Sequence, residues 1–152
     1  MRTSLLTLSF LCLQSYLLSA QITPLDSLRQ AFSTAESDSA KFNHYFYIID
    51  LVIAKGDSVH QEAALDSFRQ MTEELKEPYY WGQYYYSEAK FLRRRGKPEA
   101  QRQTLLKAKS YYEQLDDERH LATTEYTIAR TYLPEGDYES AFLGYERALK
   151  IF

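Results

Sequence analysis

Cysteine is nearly absent from this chain. Cys12 is its one thiol, and it lies in the apolar stretch that begins the sequence. A lone cysteine closes no intramolecular disulfide, so packing rather than cross-links must hold the fold. Glycine and proline are sparse, at 5 and 4 of 152 residues, which excludes a low-complexity or linker-like chain. The 3 histidines are His44, His60 and His120. No HExxH, CxxC or glycine-rich phosphate loop occurs, and nothing spaces Ser, His and Asp as a catalytic set. Period-two alternation bounded by turn residues is missing, so strands are not expected. A net charge of −3, with no broad basic field, argues against nucleic-acid binding by this segment. The expectation is a protein that is no enzyme and holds no cofactor or metal.

What is there begins with MRTSLLTLSFLCLQSYLLSA. Arg2 is the one charge in residues 1–20, an apolar-rich run extends from Leu5 to Leu18, and Ser19 and Ala20 follow. A basic start, a short apolar run and a small residue at the cut compose a secretory signal peptide. Thr7, Ser9, Gln14 and Ser15 dilute the run, and it falls short of the ~20 apolar residues that span a bilayer. An uncleaved membrane anchor is the alternative; a lipid anchor at Cys12 is disfavoured by Phe10 and Leu11 before it. A cut after Ala20 leaves 132 residues (152 less 20) with 17 basic and 21 acidic side chains, a charge of −4 and no cysteine.

The remainder repeats. Gly56, Gly96 and Gly136 are spaced by 40 residues, and each stands between two amphipathic helical patterns. In KFNHYFYIIDLVIAKG, Phe42, Tyr45, Phe46, Ile49, Val52 and Ile53 recur at steps of three and four, placing them on one helical face. Each glycine falls where a helix ends, because glycine enters the left-handed conformation at little cost. Helix starts follow: Asp57 and Asp137 as caps, Ser58 with Gln61 as a capping box, and Pro98 in a first turn. A shorter helix precedes the repeats, started by Thr23, Pro24 and Asp26, with Leu25, Leu28, Ala31 and Phe32 as its apolar face. The reading is all-α, with about seven helices after the signal peptide. A capping segment occupies 21–37, and three helical hairpins occupy 38–77, 78–115 and 116–152.

The third unit resembles a tetratricopeptide repeat. Ile128, Ala129, Tyr132, Gly136, Tyr138, Ala141, Tyr145 and Ala148 match that family's series of large, small and aromatic positions. The resemblance covers 38–152 and is strongest in its last third. Forty residues earlier, Gln101 replaces the first small residue of the second helix and Pro98 the turn aromatic; eighty earlier, Gln61 departs in the same way. The spacing also exceeds the family's ~34 residues. The resemblance implies a right-handed α-solenoid in which packing employs these residues and first helices line the concave surface. A generic helical-hairpin repeat is the structural runner-up.

By that register the concave candidates are Tyr86, Lys90, Arg93, Tyr126 and Arg130, a basic and aromatic strip suited to an acidic protein or peptide partner. Most of the 14 tyrosines are expected in packing. In DDERH, Asp116 to His120, Asp116 is expected to cap a helix rather than bind metal. FLRRRG places cations at a helix C-terminus, where they complement the dipole.

Signal peptide, short helix and loose repeats together resemble the envelope-facing front of repeat-containing sensor histidine kinases and related regulators of Gram-negative bacteria. That resemblance implies an exported protein-interaction module in the periplasm or cell envelope. Membrane contact would come only through the signal peptide or a downstream segment. A stand-alone periplasmic adaptor is the alternative, and a hydrolase with an unrecognised site the reading from another class. The last helix reaches Ile151 and Phe152 with no capping segment after it. The expectation is therefore a solenoid truncated at its C-terminal end, or self-association through that helix.

Overall fold

The structure, a computed structural model, describes residues 24–55 and 58–151. The expected signal peptide, Gly56 and Asp57, and Phe152 lie outside the described residues. Seven α-helices follow in order: α1 (Pro24–Thr34), α2 (Asp38–Lys55), α3 (Ser58–Leu75), α4 (Pro78–Arg94), α5 (Pro98–Gln114), α6 (Glu118–Arg130) and α7 (Tyr138–Ile151). A 3-10 turn, Leu133–Glu135, precedes α7. Among the described residues there is no strand, as the missing alternation implied. No helix of these residues is long and apolar enough to cross a membrane.

The chain divides into two compact units between Ile48 and Ile49, inside α2. In the first, the rings of Phe32 and Tyr45 lie 5.5 Å apart and Phe42 is buried. In the second, α3 packs on α4, α4 on α5, α5 on α6 and α6 on α7.

The expected helix ends form for the expected reasons. Gly96 and Gly136 take left-handed φ of 65° and 73°. After Gly96, the Lys97 amide donates to the Leu92 carbonyl at 3.1 Å and Gly96 itself to Arg93 at 3.0 Å, the paired bonds that close a helix over a left-handed residue. Pro98 begins α5, and the Asp137 carboxylate accepts from the Ser140 amide at 3.0 Å.

One cap is shifted. Asp116 takes φ 51° and fills the left-handed place that Gly96 and Gly136 hold in the turns on either side, so it cannot supply the extended backbone of an N-cap. Asp117 caps α6 instead, accepting from the His120 amide at 3.1 Å. The Gln61 side-chain amide donates across the turn to the Ile53 carbonyl at 3.0 Å; the Ser58 side chain of the expected capping box lies outside the described residues.

Of the residues expected in packing, Ile128, Ala129, Ala141 and Ala148 are buried. Tyr132 packs against the cluster of Ala89, Leu105 and Ile128. Tyr145 is half-buried, 5.3 Å from Tyr126. Tyr138 is not a packing residue: it is 71% exposed. The seam of α7 runs through Ala141, Gly144 and Ala148, all buried, and the capping Asp137 takes the next position back. Gly144, which the pattern did not single out, sets the approach of α6 and α7. A Cβ placed there would lie 2.7 Å from the Ala129 Cβ and 3.1 Å from its Cα.

The aromatic run on α4 is distributed among directions rather than pooled. Tyr84 is buried, with its ring 6.0 Å from Phe68. Tyr85 stacks on Trp81 and on Tyr111 of α5 at 5.7 and 5.8 Å. Tyr86 leans towards α6. Gly82 admits the Tyr112 ring, whose atoms would lie 2.7 Å from any Cβ added there.

Two measurements follow from this packing. Gly144→Ala should cost about 1–3 kcal/mol in urea denaturation, because the added methyl meets backbone on α6; an unchanged midpoint would remove the close approach. Glu88 of α4 has its carboxyl raised above the ordinary range by burial, against the opposing Lys107 charge, Tyr84 hydroxyl and Arg69 charge. An acid with a raised folded pKa holds its proton more tightly folded than unfolded. Its contribution is therefore most favourable at low pH and declines as pH rises through the carboxylate range. Glu88→Gln should raise the urea midpoint at pH 7, and the gain should shrink at pH 4.

Candidate functional site

Of FLRRRG, Arg93 and Gly96 line a groove together with residues of α4, α5 and α6, while Arg95 pairs with Glu62 at 2.7 Å. On α4, Tyr86, Lys90 and Arg93 recur at steps of four and three, which aligns them on one face. On α6, Thr127 and Arg130 are three apart. The first turn of α5 supplies Gln101. Beneath them Ala89, Leu105 and Ile128 form a buried cluster, so the groove has an apolar floor and polar walls. Tyr86 and Thr127 hydroxyls meet at 3.2 Å and tie α4 to α6.

The groove contains two pockets. The larger, about 360 Å³, is lined by Arg93, Lys97, Gln101, Thr127, Arg130 and Thr131, with Gly96, Pro98 and Pro134. The smaller, about 80 Å³, shares Arg93, Gln101, Thr127 and Arg130 and adds Tyr86, Ala89, Lys90 and Leu105. Four of the five candidates, Tyr86, Lys90, Arg93 and Arg130, thus come together. Tyr126 turns elsewhere. It lines a separate apolar pocket of about 300 Å³ with Tyr145, Ala148 and Leu149. The Arg130 guanidinium lies 5.9 Å from the Tyr126 ring centre and links the two features.

The cations are not equivalent. Lys90 Nζ sits 2.9 Å from both carboxylate oxygens of Asp50 and 5.2 Å from the Tyr86 ring centre, so its charge is largely answered within the fold. Arg93 and Arg130 are exposed. Among the described residues, Arg93, Lys97 and Arg130 have no carboxylate partner. Repeat register places Asp50 and Lys90 at equivalent positions of successive units, but it does not show that they pair; the structure does.

Gln101, Lys97 and Thr127 were missed. Gln101 carried a signal: it breaks the repeat pattern where a small residue is expected, and it is only 5% exposed.

One wall is held by Arg102, 8% exposed. Its guanidinium donates to Glu135 at 3.0 and 3.1 Å, to Thr131 at 3.2 Å and to Glu99. It also stacks 4.1 Å from the Tyr132 ring centre. Burial alone would lower the pKa of Arg102, but the bonds from Glu135 and Glu99 outweigh it and hold it above its ordinary value. This contact clamps the turn Leu133–Glu135 to the start of α5 and so fixes the pocket rim.

In DDERH, the Asp117 carboxylate meets His120 Nδ1 at 2.7 Å while capping α6. His120 stacks on Tyr112 at 5.0 Å. Among the described residues, no three His, Cys, Asp or Glu side chains gather as a metal site. On α7, Tyr138, Phe142 and Leu149 are exposed apolar side chains.

Comparison with known proteins finds no family model, no curated protein and no solved structure that this chain matches.

Arg102→Met should loosen the rim. The expected cost is about 1–3 kcal/mol, the worth of hydrogen bonds to charged groups. Amide exchange at Glu135 and Gly136 should accelerate more than at Ile128. Uniform acceleration would show that Arg102 stabilises the unit without acting on the turn.

Proposed function

We propose that this chain is an exported, non-catalytic helical-repeat module that binds an extended acidic segment of a protein partner. The observation that carries the reading is the convergence of Arg93 and Arg130 on one groove with no carboxylate partner among the described residues. Arginine presents five N–H donors in a planar fork that matches a carboxylate, so two such groups over one pocket favour an anionic ligand. Tyr86, held by Thr127, adds a rigid aromatic wall.

The tetratricopeptide-like pattern of Ile128, Ala129, Tyr132, Gly136, Ala141, Tyr145 and Ala148 supports the same proposal. In a right-handed solenoid of helical hairpins, α2, α4 and α6 would be the first helices of successive units and would share the concave face. The signal-peptide pattern of residues 1–20 supports export to the periplasm or envelope. The resemblance to sensor-kinase repeat regions makes signalling the proposed context.

The test is charge reversal. An array of ten-residue extended peptides graded in Asp and Glu content should bind the wild-type chain in proportion to acidity. Each of Arg93→Glu and Arg130→Glu should weaken binding about tenfold or more, the worth of one charge-assisted contact. Helicity by circular dichroism should not change, since both side chains are exposed. Equal binding by wild type and the double variant would refute the proposal.

A further inference from the structure

Gln61 and Gln101 stand 40 residues apart, in corresponding turns of successive units, and each is 5% exposed. They are used differently. Gln61 gives its amide to the Ile53 carbonyl, eight residues earlier. The corresponding carbonyl for Gln101 is that of Arg93, which already accepts from the Gly96 amide at 3.0 Å. Gln101 makes no side-chain hydrogen bond to another described residue, and it lines both pockets of the groove. Its amide therefore opens onto the pocket, with no partner among the described residues to compete with a ligand there.

We infer that the larger pocket is a phosphate site, taking a compact tetrahedral dianion either as free phosphate or as a phosphomonoester on a peptide. This rests on the groove being the binding face and specifies what that face recognises. Arg93, Lys97 and Arg130 bring three positive charges to one pocket. A single carboxylate would answer one of them; a dianion answers two and offers three or four oxygens to a wider set of donors. The amide of Gln101 adds neutral donors from the wall formed by the first turn of α5. Glu99 and Glu135, on the elements flanking the pocket, both pair with Arg102, whose single charge answers one of the two; the three pocket cations together with Arg102 still outweigh the two carboxylates, so the pocket keeps a net positive charge. Lys90, answered by Asp50, marks the end of the charged stretch.

The experiment uses the full chain with inorganic phosphate, acetate and two peptides of one sequence, carrying phosphoserine or glutamate, read by calorimetry and ³¹P resonance broadening. Phosphate should bind at least tenfold more tightly than acetate. Binding should strengthen from pH 5 to pH 7.5 as the second proton leaves the ligand, near pH 6 for a phosphomonoester. Arg93→Gln and Arg130→Gln should each weaken phosphate about tenfold. Gln101→Leu should weaken it about fivefold while leaving the melting temperature equal or higher, because an unpartnered amide is removed; a purely structural glutamine would lower it. Preference for the phosphoserine peptide over free phosphate would assign the phosphomonoester as the source, and the reverse would assign the free ion. If phosphate binds no better than acetate while the glutamate peptide still needs Arg93 and Arg130, the phosphate inference falls and the acidic-segment reading stands. If neither anion nor peptide depends on those arginines, both fall.

Discussion

A buried carboxylate joins the last three long helices. Glu125 of α6 is 3% exposed, and it accepts from Lys109 of α5 at 2.6 Å and from Arg147 of α7 at 3.2 Å. Removing one partner of such a group leaves an uncompensated charge indoors, which costs about 3–5 kcal/mol. The three helices are therefore not free to slide: any register that parts Glu125 from both cations is strongly disfavoured. Ala129 and Gly144, one turn along, exploit that alignment to bring α6 and α7 backbones close. Tolerance for large side chains at this seam is correspondingly low.

The groove inherits its geometry from the same frame. Arg93 and Arg130 are 37 residues apart, and their meeting depends on α4 and α6 both packing on α5. Ala89, Leu105 and Ile128 supply the apolar contact, and the Tyr86–Thr127 bridge fixes the rotation of the two helices. Arg102 then holds the following turn against α5. The wall residues are thus mostly engaged with one another, while Arg93, Arg130 and Gln101 are left to face the pocket. That arrangement, with supports satisfied internally and facing groups not, is what the proposed binding of an anionic ligand rests on.

Much of the fold could be read from the chain. The glycine spacing located the turns at Gly96 and Gly136 because a left-handed residue is a local requirement, independent of what packs above it; the left-handed places at Lys76 and Asp116 carried no glycine to mark them. Helix starts at Pro98 and Asp137 were legible for the same reason. Asp116 was misread because aspartate serves both as cap and as left-handed residue, and only the turn it enters decides between them. Tyr138 was misread because a repeat pattern assigns positions, whereas burial depends on which neighbour covers them.

The site was half legible. Helical register alone placed Tyr86, Lys90 and Arg93 on one face, and the repeat aligned them with Arg130. That Asp50 answers Lys90, that Tyr126 turns to a different pocket and that Gln101 is left unpartnered are all contacts between residues far apart in sequence. By itself the sequence determined the helices, their ends and the faces they present, since those follow from backbone conformation and periodicity within a few residues. Which charges are neutralised and which remain available was decided by tertiary structure alone, because electrostatic pairing acts through space and register carries no information about distance between helices.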